Sequence, residues 1–384
     1  MSLTKLKDII KNIDRPLFLV TLILFILGLI MIFSASNVTS YMSGGSPYAY
    51  FLRQGLFLFG SFIFCIFLVK FNTKFYGLVS NILLVVFTVL LIGLLIYGKS
   101  TNYATSWFYI GSFGVQPSEF IKVIMIVFMA RFYEDYEAKL NNWFIAIIPL
   151  LIAMIITFLI MFQPDLGTAI IFAALVGLIF LSSPVSKKIK TAIIFLMLGM
   201  IMVAALAVIF TGGSILQSRQ LSRLNFTRPC DRLLGTGNQV CNGYIAINNG
   251  GLSGIGLGNS TQKYLYLPYP YTDFIFAVIV EELGLVIAIG IILAYIFVLY
   301  RILKIGKAST TSRGALICYG VAVYIFLHIA VNLMGLFGLM PMTGVPLPFM
   351  SYGGSFTLCV MVSLAFVQRV NIETKLHQKN IKKV

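Results

Sequence analysis

NNGGLSGIGLGNSTQKYLYLPYPYTDFIFAVIVEELG, from Asn248 to Gly284, passes from glycine-rich polar chain through Pro268 and Pro270 into an apolar run that starts at Asp273. Read as a membrane helix, that run carries a carboxylate in its first turn, at the water boundary. There the positive end of the helix dipole favours the ionised form. Such a group can accept a proton from a substrate lying at the membrane surface. The glycines do not form a dinucleotide-binding fingerprint, because no strand precedes them and no βαβ unit fits. They imply a flexible, closely approached backbone.

Composition extends this reading to the whole chain. Its 384 residues are 59% hydrophobic and 10% charged, with a mean hydropathy of +0.96. A soluble domain needs far more polar surface, so the expected class is an all-α polytopic membrane protein. At roughly 20 apolar residues per crossing, about ten spans are predicted. They fall near 16–38, 52–70, 76–97, 118–133, 143–162, 167–183, 191–211, 273–300, 314–338 and 351–369. The runs are too long and too uniform for a transmembrane barrel. The first is too long for a cleavable signal peptide and lacks a small-residue cleavage site.

Basic residues set the orientation. Lys5, Lys7, Lys11 and Arg15 precede the first span, and Lys70, Lys74, Arg131, Lys139, Lys187, Lys188, Lys190, Arg301, Lys304, Lys307, Arg313 and Arg369 fall on the same side. The positive-inside rule then makes both termini cytoplasmic. One domain, 1–384, is expected, with a cytoplasmic tail at 1–15, a large extracytoplasmic loop at 212–272 and a basic cytoplasmic tail at 370–384. The net charge of +16 is topological on this reading and calls for no nucleic acid. The loop is nonetheless basic, with Arg219, Arg223, Arg228, Arg232 and Lys263 against Asp231. Long loops cross regardless of charge. Equally, arginines there suit an anion such as a pyrophosphate, which they grip through a planar fork.

Few carboxylates lie outside the cytoplasmic segments: Glu119, Asp165, Asp231, Asp273, Glu281 and Glu282. Glu119 and Lys122 share one helix face and can pair, either structurally or as the lining of a substrate cavity. Asp165, in the turn QPDLG, can cap the sixth span or serve chemistry. Glu281 and Glu282 lie about two turns, roughly 12 Å, below Asp273, where a neighbouring helix or polar cavity is their expected partner. Asp273 alone combines an interface position with flanking glycine-rich chain. His328 lies in an apolar span and His377 in the cytoplasmic tail, so neither a Ser-His-Asp triad nor a His-rich zinc site fits the outer face. His328 reads as a packed, hydrogen-bonded residue. Cys65, Cys318 and Cys359 read as small apolar fillers. Cys230 and Cys241 share the outer loop, where a disulfide and two free thiols are both open readings.

Six motifs together resemble the SEDS (shape, elongation, division and sporulation) family, which includes FtsW and RodA. They are FSAS at 33–36, QPSEFIK at 116–122, QPDLGTA at 163–169, AINNGGLSGIGLGNSTQK at 246–263, TDFIFAVIVEELG at 272–284, and a final motif from Asn332 to Ser355 that closes in SYGGS. The resemblance covers nearly the whole chain and implies a fold related to GT-C glycosyltransferases. It implies a peptidoglycan glycosyltransferase that polymerises lipid II on the outer face of the bacterial cytoplasmic membrane, in division or elongation. Asp273 looks like the family's essential aspartate, the general base. Substrate contacts are expected from Trp107, Glu119, Lys122, Asp165, Arg219, Arg223, Gln262, Lys263, Ser351, Tyr352, Gly353 and Gly354. A divalent cation, Mg²⁺ or Mn²⁺, or the loop arginines would stabilise the leaving pyrophosphate. Lipid II, membrane lipids and a class B penicillin-binding protein are the implied partners. Ser106 stands before Trp107 where the family usually has arginine, so one basic contact is absent. A lipid II flippase built on Glu119 and Lys122, and a non-catalytic scaffold for a transpeptidase, are the rival readings.

Overall fold

The computed structural model describes residues 9, 11–97, 99–101, 104–110, 113–210, 229–231, 236–264 and 266–381. Each of the expected spans falls on a helix: α1 (Arg15–Met42), α2 (Ala49–Leu68), α3 (Thr73–Tyr97), α4 (Pro117–Asp135), α5 (Trp143–Phe162), α6 (Leu166–Ser182), α7 (Lys187–Phe210), α9 (Ile275–Ala308), α10 (Ser312–Leu336) and α11 (Gly354–Ile381). Within the segment 212–272 lies a further helix, α8 (Thr236–Gly250). Seven of the described helices are long and apolar enough to cross a membrane by length and composition. The protein is a multi-pass membrane protein.

Local signals set the helix starts. Asp14 caps α1 through the Leu17 amide, with Pro16 in the first turn, and Thr311 caps α10 through the Gly314 amide. Asn142 and Asp165 cap α5 and α6 in the same way, each filling an amide that the first turn leaves without a partner. The bundle is built around α4, which packs against α3, α5, α6, α10 and α11.

The helical membrane class holds, with one local addition: β1 (Lys99–Thr101), β2 (Ala104–Ile110) and β3 (Phe113–Val115) form a small antiparallel sheet between α3 and α4. Two boundaries differ from expectation. The segment from 370 is not a free tail, because α11 runs on to Ile381 and buries Asn371 and Thr374. The helix expected to begin at Asp273 begins at Ile275, leaving Asp273 in the turn before it.

The opening stretch is held rather than flexible. Gly284 breaks α9 with φ +82°. A regular helix would bond the Leu285 and Val286 amides to the Glu281 and Glu282 carbonyls. Instead Leu285 and Val286 donate to Gly251 and Leu252 at 3.0 and 3.3 Å, while Ile255 and Gly256 donate to Glu281 and Glu282, each at 3.0 Å. The loop replaces both broken helical bonds, so no backbone group is orphaned. Such an approach requires glycine: a Cβ on Gly250 would lie 2.1 Å from the Val280 carbonyl oxygen, and one on Gly254 2.3 Å from that of Glu282. The close approach inferred from these glycines is therefore present, with an ordered backbone.

Candidate active site

Asp273 is half-buried at the head of α9, and its turn is fixed from three sides. The Thr272 hydroxyl donates to Asp273 Oδ1 at 2.8 Å. Asn332 on α10 donates from Nδ2 to the Asp273 carbonyl at 2.9 Å and to the Val345 carbonyl at 2.8 Å. Ser351 donates to the Thr272 carbonyl at 2.5 Å, and the Tyr352 amide to that of Tyr271 at 2.9 Å. Asp273 Oδ2 faces Gly344, where an added Cβ would lie 3.9 Å away. Burial raises the Asp273 carboxyl above its ordinary 3.8, with the Thr272 hydroxyl and a backbone bond pulling the other way.

The segment 339–353 joins this carboxylate to two other polar groups. On one side it meets the Asp165 turn: a Cβ on Gly167 would lie 2.7 Å from that of Thr343. Asp165 accepts from the Thr168 amide at 3.1 Å, and its Oδ2 takes longer bonds from Ser106 (3.3 Å) and Gln116 (3.4 Å). Ser106, standing where the family pattern has a basic residue, thus serves as a second ligand to Asp165. On the other side is the buried Glu119–Lys122 ion pair, at 2.8 Å. Lys122 Nζ also lies 3.1 Å from His328 Nε2, and His328 Nδ1 lies 3.4 Å from the Pro346 carbonyl. With Nδ1–H donating to Pro346 and Nε2 accepting from Lys122, every polar atom of the imidazole is used. The Tyr324 hydroxyl donates to Glu119 Oε2 at 3.4 Å.

The other expected site residues divide. Trp107 lies half-buried on β2, its ring against Gly114. Arg219 and Arg223 lie outside the described residues. Lys263 is not available to a substrate. Its side chain is fully buried, with Nζ on Glu282 at 2.9 Å, the Gly258 carbonyl at 2.7 Å and Ser34 at 3.2 Å. Gln262 is buried beside it, its amide donating to Glu281 at 3.4 Å. Glu281 also accepts from Ser260, and at 2.9 Å from the Thr261 hydroxyl. This pair of glutamates thus clamps the glycine-rich loop, the neighbour that the sequence leaves unnamed. The closing serine and glycines are likewise spent internally. Ser351 holds Thr272, the Gly353 amide donates to Gln54 at 3.1 Å, and Gly354 packs on Phe57. Tyr352 alone keeps an outward role, in a cluster with Tyr50 and Tyr271 whose ring centroids lie 4.6–5.9 Å apart.

Sequence reasoning missed the roles of Asn332, Gly344 and Arg53, whereas His328 is packed and hydrogen-bonded as expected. Arg53 is exposed at the start of α2, beside the Tyr352 side chain. The proline- and glycine-rich run after Asn332 was the available signal for Asn332 and Gly344. Cys230 and Cys241 form a disulfide that joins the short turn Pro229–Asp231 to α8.

Comparison with known proteins gives one consistent result. The model of the FtsW/RodA/SpoVE family of cell cycle proteins matches residues 14–376. The probable peptidoglycan glycosyltransferase FtsW of Bacillus subtilis is 32% identical over 98% of this chain and 95% of its own. Stage V sporulation protein E of the same organism is 33% identical over 93% and 96%. Among solved structures, a chain of a peptidoglycan synthase complex that coordinates polymerization and crosslinking superposes with a TM-score of 0.78 at 22% identity, over 94% of this chain and 98% of that one. The rod shape determining protein RodA of Thermus thermophilus gives 0.67 at 22% identity, over 94% and 96%.

Proposed function

The chain belongs to the FtsW/RodA/SpoVE family, a peptidoglycan glycosyltransferase lineage, and we propose that Asp273 is the base of that reaction. The observation that carries this reading is the geometry of one carboxylate. Asn332 and Ser351 fix its turn through backbone carbonyls and the Thr272 hydroxyl occupies Oδ1, while Oδ2 faces the glycine at 344. A base must reach its proton without reorganising, and its pKa should lie nearer the working pH than a free aspartate's. The raised carboxyl meets the second need.

On this reading the donor and acceptor are lipid II or its polymer. Asp273 Oδ2 takes the proton of the acceptor GlcNAc 4-hydroxyl. That oxygen attacks the donor MurNAc anomeric carbon, and the bond to undecaprenyl pyrophosphate breaks. The α-linked donor becomes a β-1,4 glycan with inversion. The departing pyrophosphate needs charge stabilisation rather than a proton. Arg53, exposed beside Tyr352, is the described cation best suited to it, together with the loop arginines 219 and 223. No group of three histidine, cysteine, aspartate or glutamate side chains that could hold a metal occurs among the described residues. No step here is routed through Mg²⁺ or Mn²⁺, which one or two carboxylates together with substrate phosphates would hold. The site then faces the outer side of the cytoplasmic membrane, with both termini inside. A class B penicillin-binding transpeptidase is the proposed partner, in keeping with the synthase complex whose chain this fold resembles.

A transporter reading needs Glu119 and Lys122 open to a passing headgroup. Both are buried, and Lys122 is engaged by Glu119 and His328. The test is polymerisation of purified lipid II, with and without a class B partner and with Mg²⁺ or Mn²⁺, by the parent and Asp273→Asn. Glycan strands from the parent alone support the base. Equal product from both would move the chemistry to another carboxylate.

A further inference from the structure

At the end of the bundle opposite Asp273, a cavity of about 780 Å³ opens between α2, α3, α4 and α10. Its volume is in the range of small-ligand sites. Four cations line it, Lys70, Lys74, Arg131 and Arg313, with two carboxylates, Glu134 and Asp135. The carboxylates are already spent. Arg131 bonds Asp135 at 2.9 Å and the Gly77 carbonyl at 2.7 Å, and Arg313 bonds Glu134 at 2.5 Å. Lys70 and Lys74 are exposed and have no carboxylate partner among the described residues. Arg313 is only 6% exposed, yet its Nε finds no acceptor. The cavity therefore carries two uncompensated positive charges and a buried guanidinium with a donor to spare.

Its apolar rim says which anion fits. Phe75 and Leu78 line the same cavity and are 43% and 58% exposed, on the helix face that would meet acyl chains. Phosphate-binding groups directly above lipid-facing side chains match a phospholipid better than a free ion. We propose that this cavity binds the phosphodiester headgroup of an anionic phospholipid of the cytoplasmic leaflet. Lys70 and Lys74 contact the phosphate, and the chains descend along Phe75 and Leu78. The leaflet rests on the orientation given by the basic residues; the lipid chemistry rests on the cavity itself. The bland alternative is that these cations only mark the inner face, as Lys304 and Lys307 do.

The test uses full-length protein, delipidated in neutral detergent and titrated with phosphatidylglycerol while bound lipid is counted by native mass spectrometry. Phosphatidylcholine and inorganic phosphate are run alongside. Removing Lys70 and Lys74 together, as the double alanine variant, should weaken phosphatidylglycerol binding about 30-fold, at about 5-fold per lysine near an anionic lipid surface. Lys304→Ala/Lys307→Ala removes the same charge outside the cavity and should bind as the parent does. Equal losses from both pairs, or no loss from the first, would overturn the site. Phosphatidylcholine binding as tightly would overturn the anionic headgroup, and competition by millimolar inorganic phosphate would make it a soluble-anion site instead.

Discussion

Replacing Lys263 with methionine distinguishes a structural ammonium from a substrate contact. The side chain is fully buried, and its partner Glu282 also accepts from Ser34 at 2.7 Å and from the Ser260 amide at 3.3 Å. Removing the lysine leaves a buried carboxylate without a countercharge. Breaking such a pair from one side costs about 3–5 kcal/mol. At roughly 2 °C per kcal/mol for a chain of this size, the melting temperature in detergent should fall by about 6–10 °C. The Glu282→Gln change in the same molecule removes the stranded charge, so the double variant should recover at least about 2 kcal/mol of that loss. Thermal unfolding followed by tryptophan fluorescence reads both quantities, and lipid II polymerisation reads the KM. The protein that remains folded should keep its KM for lipid II. A Lys263→Met variant that melts with the parent but needs far more lipid II would refute this reasoning and return Lys263 to the substrate site.

Three further outcomes test the site. Asp273→Asn should lower polymerisation by about 10²–10⁴-fold, the usual share of a general base. Its folded pKa is raised by burial, so the carboxyl's contribution to stability is full below its unfolded value and is lost as pH rises through the folded one. The asparagine variant should therefore unfold no earlier than the parent at neutral pH, and the parent's kcat/KM should fall on acidification with a limb above pH 3.8. Asn332→Ala strips a donor from the Asp273 and Val345 carbonyls, at about 1–3 kcal/mol for buried groups left unpaired. Its activity should drop in kcat with KM little changed; a pure KM effect would make Asn332 a substrate ligand. Gly344→Ala places a methyl near Asp273 Oδ2 at φ +70°, a conformation costing about 1–3 kcal/mol for a residue with a side chain. It should abolish most polymerisation while leaving Lys263 and Glu282 paired, read as a melting temperature only about 2–6 °C below the parent's.

The sequence made the bundle legible because hydropathy over a membrane thickness is a local property. Trp143–Phe162 matches its expected span at both ends, and the other helices differ from theirs by a few residues or extend beyond. Asp273 was legible for a similar reason, as an acidic residue at the edge of an apolar run. The sheet at 99–115 was not: strands of three and seven residues carry too little periodicity to stand out between two spans. The fate of Lys263 was hidden differently. A lysine in a basic outer loop looks free until the loop folds back on Glu282, and no local pattern announces that contact. The loop arginines 219 and 223 lie beyond the described residues, so the sequence remains their whole account.

The segment after Asn332 links the surroundings of three carboxylates that lie far apart in the chain. Thr343 meets the Asp165 turn, Gly344 faces Asp273, and Pro346 receives the histidine that holds Lys122 against Glu119. Below it, Pro348 accepts from the Tyr295 hydroxyl at 2.6 Å, and the Phe349 carbonyl lies where a Cβ on Gly28 would come within 2.1 Å. The segment is thus seated on α1 and α9 while its upper side faces Asp273 and meets the neighbours of the other two, Gly167 beside Asp165 and His328 beside Lys122. If Asp273 is the base proposed above, Glu119 and Asp165 would act on the reaction through the backbone that faces it, not by contact with its proton. Substitutions at Glu119 should accordingly cost stability first and activity in proportion to the shift of Gly344, whereas those at Asp273 should cost activity alone.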